Sequence, residues 1–179
     1  MRLFIAINFN DQTKKELVSI QNELRNNTFN GRFTTSENLH LTLAFLGECD
    51  VKQTELLKSI IDNIKFEPLL ICLNRVGRFK RDDGDLWWVG VEDNARLTKL
   101  YIDLTDKLKS SGFMVEKRKY KPHVTIGRKI VTDKEPWLIT SFNEVITGID
   151  LMKSEHVNGV LKYSVIHSLH INCDIGVYL

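Results

Sequence analysis

A five-residue pattern of apolar, His, apolar, Thr, apolar occurs twice, at Leu39-His40-Leu41-Thr42-Leu43 and at Pro122-His123-Val124-Thr125-Ile126. In an extended strand alternate side chains point to opposite faces. Leu39, Leu41, Leu43 and Phe45 therefore share a core-facing side, as do Pro122, Val124 and Ile126, while His40 and Thr42, and likewise His123 and Thr125, share the other. Each copy sets an imidazole beside a hydroxyl at a backbone separation of roughly 6.6 Å. With five His and twelve Thr in 179 residues, chance gives about 0.3 His-x-Thr matches, so one copy alone carries little information. Two copies with the same apolar flanks require a chain that buries one face of two strands and presents the same polar pair from each.

The hydrophobic patterning elsewhere fits a repeat. Residues 2–8 predict a strand, and Asn10 or Asp11 starts a helix to about residue 26 with Leu17, Ile20 and Leu24 inward. The first His-Thr strand follows at 38–46, then a helix opened by Asp50 with Gln53 in a capping box, then a strand at 67–78. A second round begins at 85–91, continues with a helix at 94–110 and the second His-Thr strand at 122–128, and is expected to close with a short helix near 134–142 and a strand at 144–153. Further strands are expected near 160–171 and 173–178. His123 follows His40 by 83 residues, Thr125 follows Thr42 by the same 83, and the two opening strands share that offset. The expected organisation is a single domain over 1–179 built from two similar lobes about a pseudo-two-fold axis, with the motifs at 40–43 and 123–126 facing across a cleft.

Such a site suits displacement at phosphorus. Two imidazoles with ordinary pKa values near 6.5 can hold opposite protonation states at neutral pH, and hydroxyls donate to non-bridging oxygens. In-line displacement needs a base for the entering oxygen, an acid for the leaving one and donors for the phosphoryl charge. The symmetry leaves open which His is which. Lys117, Arg118, Lys119 and Lys121 precede the second copy, and Arg128 and Lys129 follow it. Strand parity sets Arg128 on the face opposite His123, unless Gly127 permits a bulge or the chain curls back there.

Composition narrows the partners. A formal net charge of +2 argues against coating long nucleic acid by charge alone. Cys49, Cys72 and Cys173 lack zinc or disulfide spacing, which fits a reducing compartment. The apolar run at the start is short for a signal peptide, and no later run is long enough to span a bilayer, so a cytoplasmic protein without membrane association is expected.

The segments Arg2-Leu3-Phe4-Ile5-Ala6, Glu37-Asn38-Leu39-His40-Leu41-Thr42-Leu43 with Phe45-Leu46-Gly47, and Lys121-Pro122-His123-Val124-Thr125-Ile126-Gly127-Arg128, together with Ser154, Gly159 and Tyr163, resemble the 2H phosphoesterase superfamily. Within it they resemble the RNA 2′,3′-cyclic phosphodiesterases, also described as 2′-5′ RNA ligases. The resemblance implies an α+β fold of two largely antiparallel sheets facing across a central cleft, with helices outside. It implies opening of RNA 2′,3′-cyclic phosphate ends, or nucleoside 2′,3′-cyclic phosphates, to 2′-phosphomonoesters without metal or other cofactor, with ligation as the possible reverse. Carried over by motif, His40 is the proton donor, His123 the proton acceptor, and Thr42, Thr125 and Arg128 bind the phosphate. Other members act on 2′-5′ oligoadenylates or ADP-ribose cyclic phosphate; a non-catalytic RNA-end binding module and metal-dependent hydrolysis are further alternatives. A monomer is favoured.

Other residues have plainer expectations. His156, His167 and His170 lack metal-ligand spacing and are expected at surface or strand positions. Only one of Trp87 and Trp88 can face the cleft, with core packing the default. Phe4 and Tyr120 are minor candidates for stacking on a base.

Overall fold

The computed structural model describes residues 1–171; the strand expected at 173–178 and Cys173 lie outside the described residues. In chain order the elements are β1 (Arg2–Asn8), α1 (Asp11–Arg25), β2 (Thr28–Phe33), a 3₁₀ turn (Ser36–Asn38), β3 (His40–Glu48), α2 (Val51–Asp62), β4 (Leu69–Phe79), β5 (Asp85–Val91), α3 (Ala95–Ser110), β6 (His123–Thr132), β7 (Trp137–Ile146), β8 (Gly148–Val157) and β9 (Val160–His170). Each helix begins at a residue able to satisfy its unpaired N–H groups. The Asn10 side chain accepts from the Thr13 N–H, Asp50 and Gln53 make both bonds of a capping box, and Asn94 accepts from the Leu97 N–H. Leu17 and Leu24 of α1, Leu57 and Ile61 of α2, and Leu97, Leu100 and Leu104 of α3 join one core with the inward residues of the strands.

The strands form one nine-stranded sheet in the order β7-β4-β5-β6-β3-β1-β8-β9, with β2 on β6 off that path. All its pairings are antiparallel. The halves β7-β4-β5-β6 and β3-β1-β8-β9 meet at a single bridge, Leu41 to Val124. These two residues are repeat equivalents, 83 positions apart, and an antiparallel bridge between equivalents lies on a local two-fold axis. Beyond it, the same edge of β6 is taken by β2, which pairs from Phe33 with Gly127 to Thr28 with Thr132. Occupation of that edge prevents β3 and β6 from zipping further, so the two half-sheets are hinged at the His-Thr strands. Each half draws on both parts of the chain, since β4 pairs with β5 and β8 with β1.

Two expectations are corrected. Residues 134–142 are not helical: Trp137–Ile146 is a strand that pairs along β4. Its exposure alternates through Trp137, Leu138, Ile139 and Thr140, and covering the open edge of β4 outweighs the helix-start cues of Asp133 and Pro136. The opening strands, Arg2–Asn8 and Asp85–Val91, keep the 83-residue offset in their bounds, while the residues opposite Thr42 and Thr125 are Ala6 and Trp88, 82 apart. Phe45 does not face the core. The β1 to β3 ladder passes from Ile5 opposite Ala44 to Ala6 opposite Thr42, so Leu43 is a bulge that inverts parity; Ala44 is buried and Phe45 is 58% exposed.

Candidate active site

His40 and His123 open β3 and β6, and both are half-buried on the sheet face that the helices leave uncovered. They are held alike. His40 Nδ1 lies 2.7 Å from the Asn38 carbonyl and His123 Nδ1 2.6 Å from the Lys121 carbonyl, in each case two residues upstream. A carbonyl only accepts, so each Nδ1 carries the proton and donates, which leaves each Nε2 to face reactants. His40 Nε2 is 3.0 Å from Thr42 Oγ1, and the Thr hydroxyl donates to it when the ring is neutral. Antiparallel register at the Leu41 to Val124 bridge turns His40 toward Thr125 and Thr42 toward His123. The structure thus brings all four residues into one place.

Arg128 joins them through the bulge. Trp87 partners Gly127 while Trp88 partners Thr125, so Ile126 is the extra residue, at the position equivalent to Leu43 in β3. The bulge returns Arg128 to the face of His123, and its charge acts on both imidazoles. Phe45 is its counterpart in the other half-sheet. The bulge is pinned from the helix side: the buried Gln21 amide donates 2.8 Å bonds to the Ile126 and Thr34 carbonyls, and Thr34 Oγ1 donates to the Thr125 carbonyl at 2.9 Å.

Burial is the main reason both imidazoles are less basic than usual; Arg128 adds to it, and for His40 so do His123 and Lys14, against an opposing contribution from the backbone carbonyl. His40 is pushed from 6.5 down to about 4, and His123 is lowered as well. The linkage has a definite sign. Below 6.5 the unfolded chain takes up a proton at residue 40 that the native state refuses until about 4, so this contribution to stability is intact above 6.5 and lost as pH falls. Between about pH 7.5 and about pH 4.5, wild type should therefore lose about 2 kcal/mol more stability than His40→Gln, as measured by urea unfolding. Parallel losses in the two proteins would refute that assignment.

Each imidazole sits among aromatic rings. Phe4 and Tyr163 lie 4.9 and 5.3 Å from His40 between centroids, and Phe79 and Trp88 lie 5.3 and 6.1 Å from His123. Trp87 is buried in the core and Trp88 faces the site, as strand alternation requires. Phe4 and Tyr120 are not free to stack on a base. Phe4 is only 2% exposed among Ala6, Met152 and Tyr163. The Tyr120 ring stacks on Tyr101 at 3.9 Å, and its hydroxyl donates to the Thr42 carbonyl at 3.3 Å, tying the segment before β6 to β3.

Several positioning residues carry no advance signal. Asn8, the partner of His40, donates to Asp150 at 2.7 Å. Asn38 holds β9 by donating to the Leu161 carbonyl and accepting from the Tyr163 N–H. Gln21 interrupts the apolar stripe of α1, the one mark that sets it apart in the sequence. Two of the remaining histidines stand beside carboxylates: His167 lies 2.7 Å from Asp62, and His170 is 3.7 Å from Asp150 with an exposed side chain. Lys117, Lys119 and Lys121 are exposed, and Arg118 pairs with Glu116 at 3.0 Å.

Residues 7–88, which include the first of the two His-Thr strands, match the LigT like Phosphoesterase family. A Thermotoga maritima protein named RNA 2′,3′-cyclic phosphodiesterase is 36% identical over 159 residues, 86% of this chain and 84% of that one. A Methanocaldococcus jannaschii protein of the same name is 34% identical over 75% of this chain and 76% of its own, and one from Escherichia coli is 28% identical over 91% and 92%. The chain belongs to the LigT-like family of RNA 2′,3′-cyclic phosphodiesterases. The crystal structure of E. coli LigT complexed with 3′-AMP superposes with a TM-score of 0.83 at 24% identity, over 95% of this chain and 97% of that one, which establishes the shared fold.

Proposed function

We propose that this protein hydrolyses RNA 2′,3′-cyclic phosphate termini to 2′-phosphomonoesters without a metal or other cofactor. The observation that carries the proposal is the meeting of two identically oriented His-Thr pairs at one bridge on the local two-fold axis. His123 Nε2 takes a proton from water as its oxygen attacks phosphorus. His40 Nε2 gives a proton to the departing 3′ oxygen, so the P–O3′ bond breaks, the 2′ ester remains and the 3′ hydroxyl is released. Thr42, Thr125 and Arg128 hold the non-bridging oxygens, where charge concentrates in the transition state. This assignment of acid and base follows what the motif resemblance implies. In the free protein both imidazoles are depressed; the diester's negative charge between them favours the imidazolium that donation requires. The same steps with a 5′ hydroxyl in place of water would join its oxygen to the phosphorus of a 2′,3′-cyclic end, release the 3′ hydroxyl and leave a 2′-5′ linkage.

We take the chain as a single domain, 1–179, of two lobes hinged at the His-Thr strands, acting as a monomer in the cytoplasm. No helix among the described residues is long and apolar enough to cross a membrane. The deciding experiment is incubation, in chelated buffer, with a nucleoside 2′,3′-cyclic phosphate, a 2′-5′ oligoadenylate and an ADP-ribose cyclic phosphate. Turnover of the first is expected to dominate. Turnover confined to either of the others would reassign the substrate, and binding without turnover would leave an RNA-end binding module.

A further inference from the structure

Resting on the phosphodiesterase reading, we infer that Arg75 contacts the phosphate attached to the 5′ oxygen of the terminal nucleoside, one nucleotide away from the reacting phosphorus. His123, Gly90, Arg75 and Leu138 are successive cross-strand partners on β6, β5, β4 and β7. Cross-strand partners share a face, so Arg75 stands beside the reaction centre, with its Cα about 10 Å from that of His123, two strand spacings away.

Two glycines shape the ground between them. A Cβ on Gly90 would lie 3.0 Å from Arg75 Nε and 2.8 Å from the Trp88 ring, and one on Gly77 would lie 2.3 Å from that ring. The indole therefore rests flat across backbone that side chains leave bare, and the root of the guanidinium lies at its margin. Arg75 is exposed, and among the described residues it has no ion-pair partner. Arg78, three residues further along β4 and so on its other face over the Trp87 ring, is by contrast tied to Asp85 and Glu135. An unpaired guanidinium beside an aromatic surface fits a nucleotide whose sugar and base pass over Trp88 and whose next phosphate meets Arg75.

The other half-sheet is unsuited to that load. There the positions equivalent to Trp88 and Gly90 are Ala6 and Asn8, and the next strand supplies the buried acid Asp150, bonded to Asn8. A polyanion is disfavoured on that side and favoured toward Arg75, so the pseudo-symmetric site acquires a direction along the RNA.

The test compares kcat/KM of wild type, Arg75→Gln and Arg75→Lys on uridine 2′,3′-cyclic phosphate, its 5′-phosphorylated form, and a uridine dinucleotide ending in the cyclic phosphate. Arg75→Gln should lose about 10- to 100-fold on the substrates bearing a 5′ phosphate and change less than about 2-fold on the 5′-hydroxyl one, with Arg75→Lys between. Loss on the dinucleotide alone identifies a bridging diester, and loss on both a 5′ phosphate of either kind. An equal loss on all three, or none, overturns the inference. If wild type turns over none of them, the phosphodiesterase reading fails, and binding then decides the role of Arg75: wild type should hold uridine 5′-monophosphate more tightly than uridine, and Arg75→Gln should not.

Discussion

His40→Ala and His123→Ala should each lower kcat on a nucleoside 2′,3′-cyclic phosphate by about 10²- to 10⁴-fold, the range usual for a positioned acid or base. The two substitutions should not multiply. Both rings serve one displacement, and once either proton transfer is lost the other gains little from its partner, so the double variant should approach the weaker single one. Folding should survive, because both rings are only half-buried and sit on the face away from the helices. Circular dichroism with unfolding at neutral pH separates a catalytic loss from a structural one. Near-wild-type kcat in both single variants would remove these residues from the chemistry.

Arg128→Ala should cost about 10²-fold or more in kcat/KM, in line with removal of a donor aimed at developing charge. It should also change the pH profile. The Arg128 cation depresses both imidazoles, so its removal raises both pKa values and moves the profile toward higher pH. Arg128→Lys should keep most of the electrostatic effect on the imidazoles yet recover only part of the rate, because an ammonium cannot grip two phosphate oxygens in one plane. A rate loss in Arg128→Ala with an unmoved profile would mean that the guanidinium lies away from the imidazoles when substrate is bound.

Much of this site was legible in the sequence because its parts are local. The strand period fixes which face His40 and Thr42 occupy, and the fixed offset to His123 and Thr125 makes the two copies halves of one arrangement. The Asp50 and Gln53 capping box, the Asn10 start of α1 and the alternation of Trp87 with Trp88 are decided within a few residues, and all are present as expected. What escaped depends on contacts distant in sequence. Parity fails at Phe45 and was undecided at Arg128 because each follows a bulge, and the bulge in β6 is held by Gln21 and Thr34, about a hundred residues upstream. The strand β2 has little apolar alternation, and its role is to occupy an edge of β6. Trp137–Ile146 carries helix-start cues beside β-branched residues, and only the unpaired edge of β4 resolves the conflict. Asn8, Asn38 and Asp150 look like ordinary polar residues until the fold sets them around His40.

The two half-sheets explain how a repeated motif yields a directional reaction. Equivalent positions hold Thr42 and Thr125, but Phe45 answers Arg128, Ala6 answers Trp88 and Asn8 answers Gly90. The shared residues supply what is symmetrical about displacement at phosphorus, and the differing ones decide how the RNA lies.

The most direct test of the central claim is ³¹P NMR of the product formed from a nucleoside 2′,3′-cyclic phosphate in buffer containing excess chelator. The paired-imidazole account predicts undiminished turnover and a single 2′-phosphomonoester resonance. A 3′-phosphomonoester, a mixture of the two isomers, or turnover that stops on chelation and returns with added metal would contradict it.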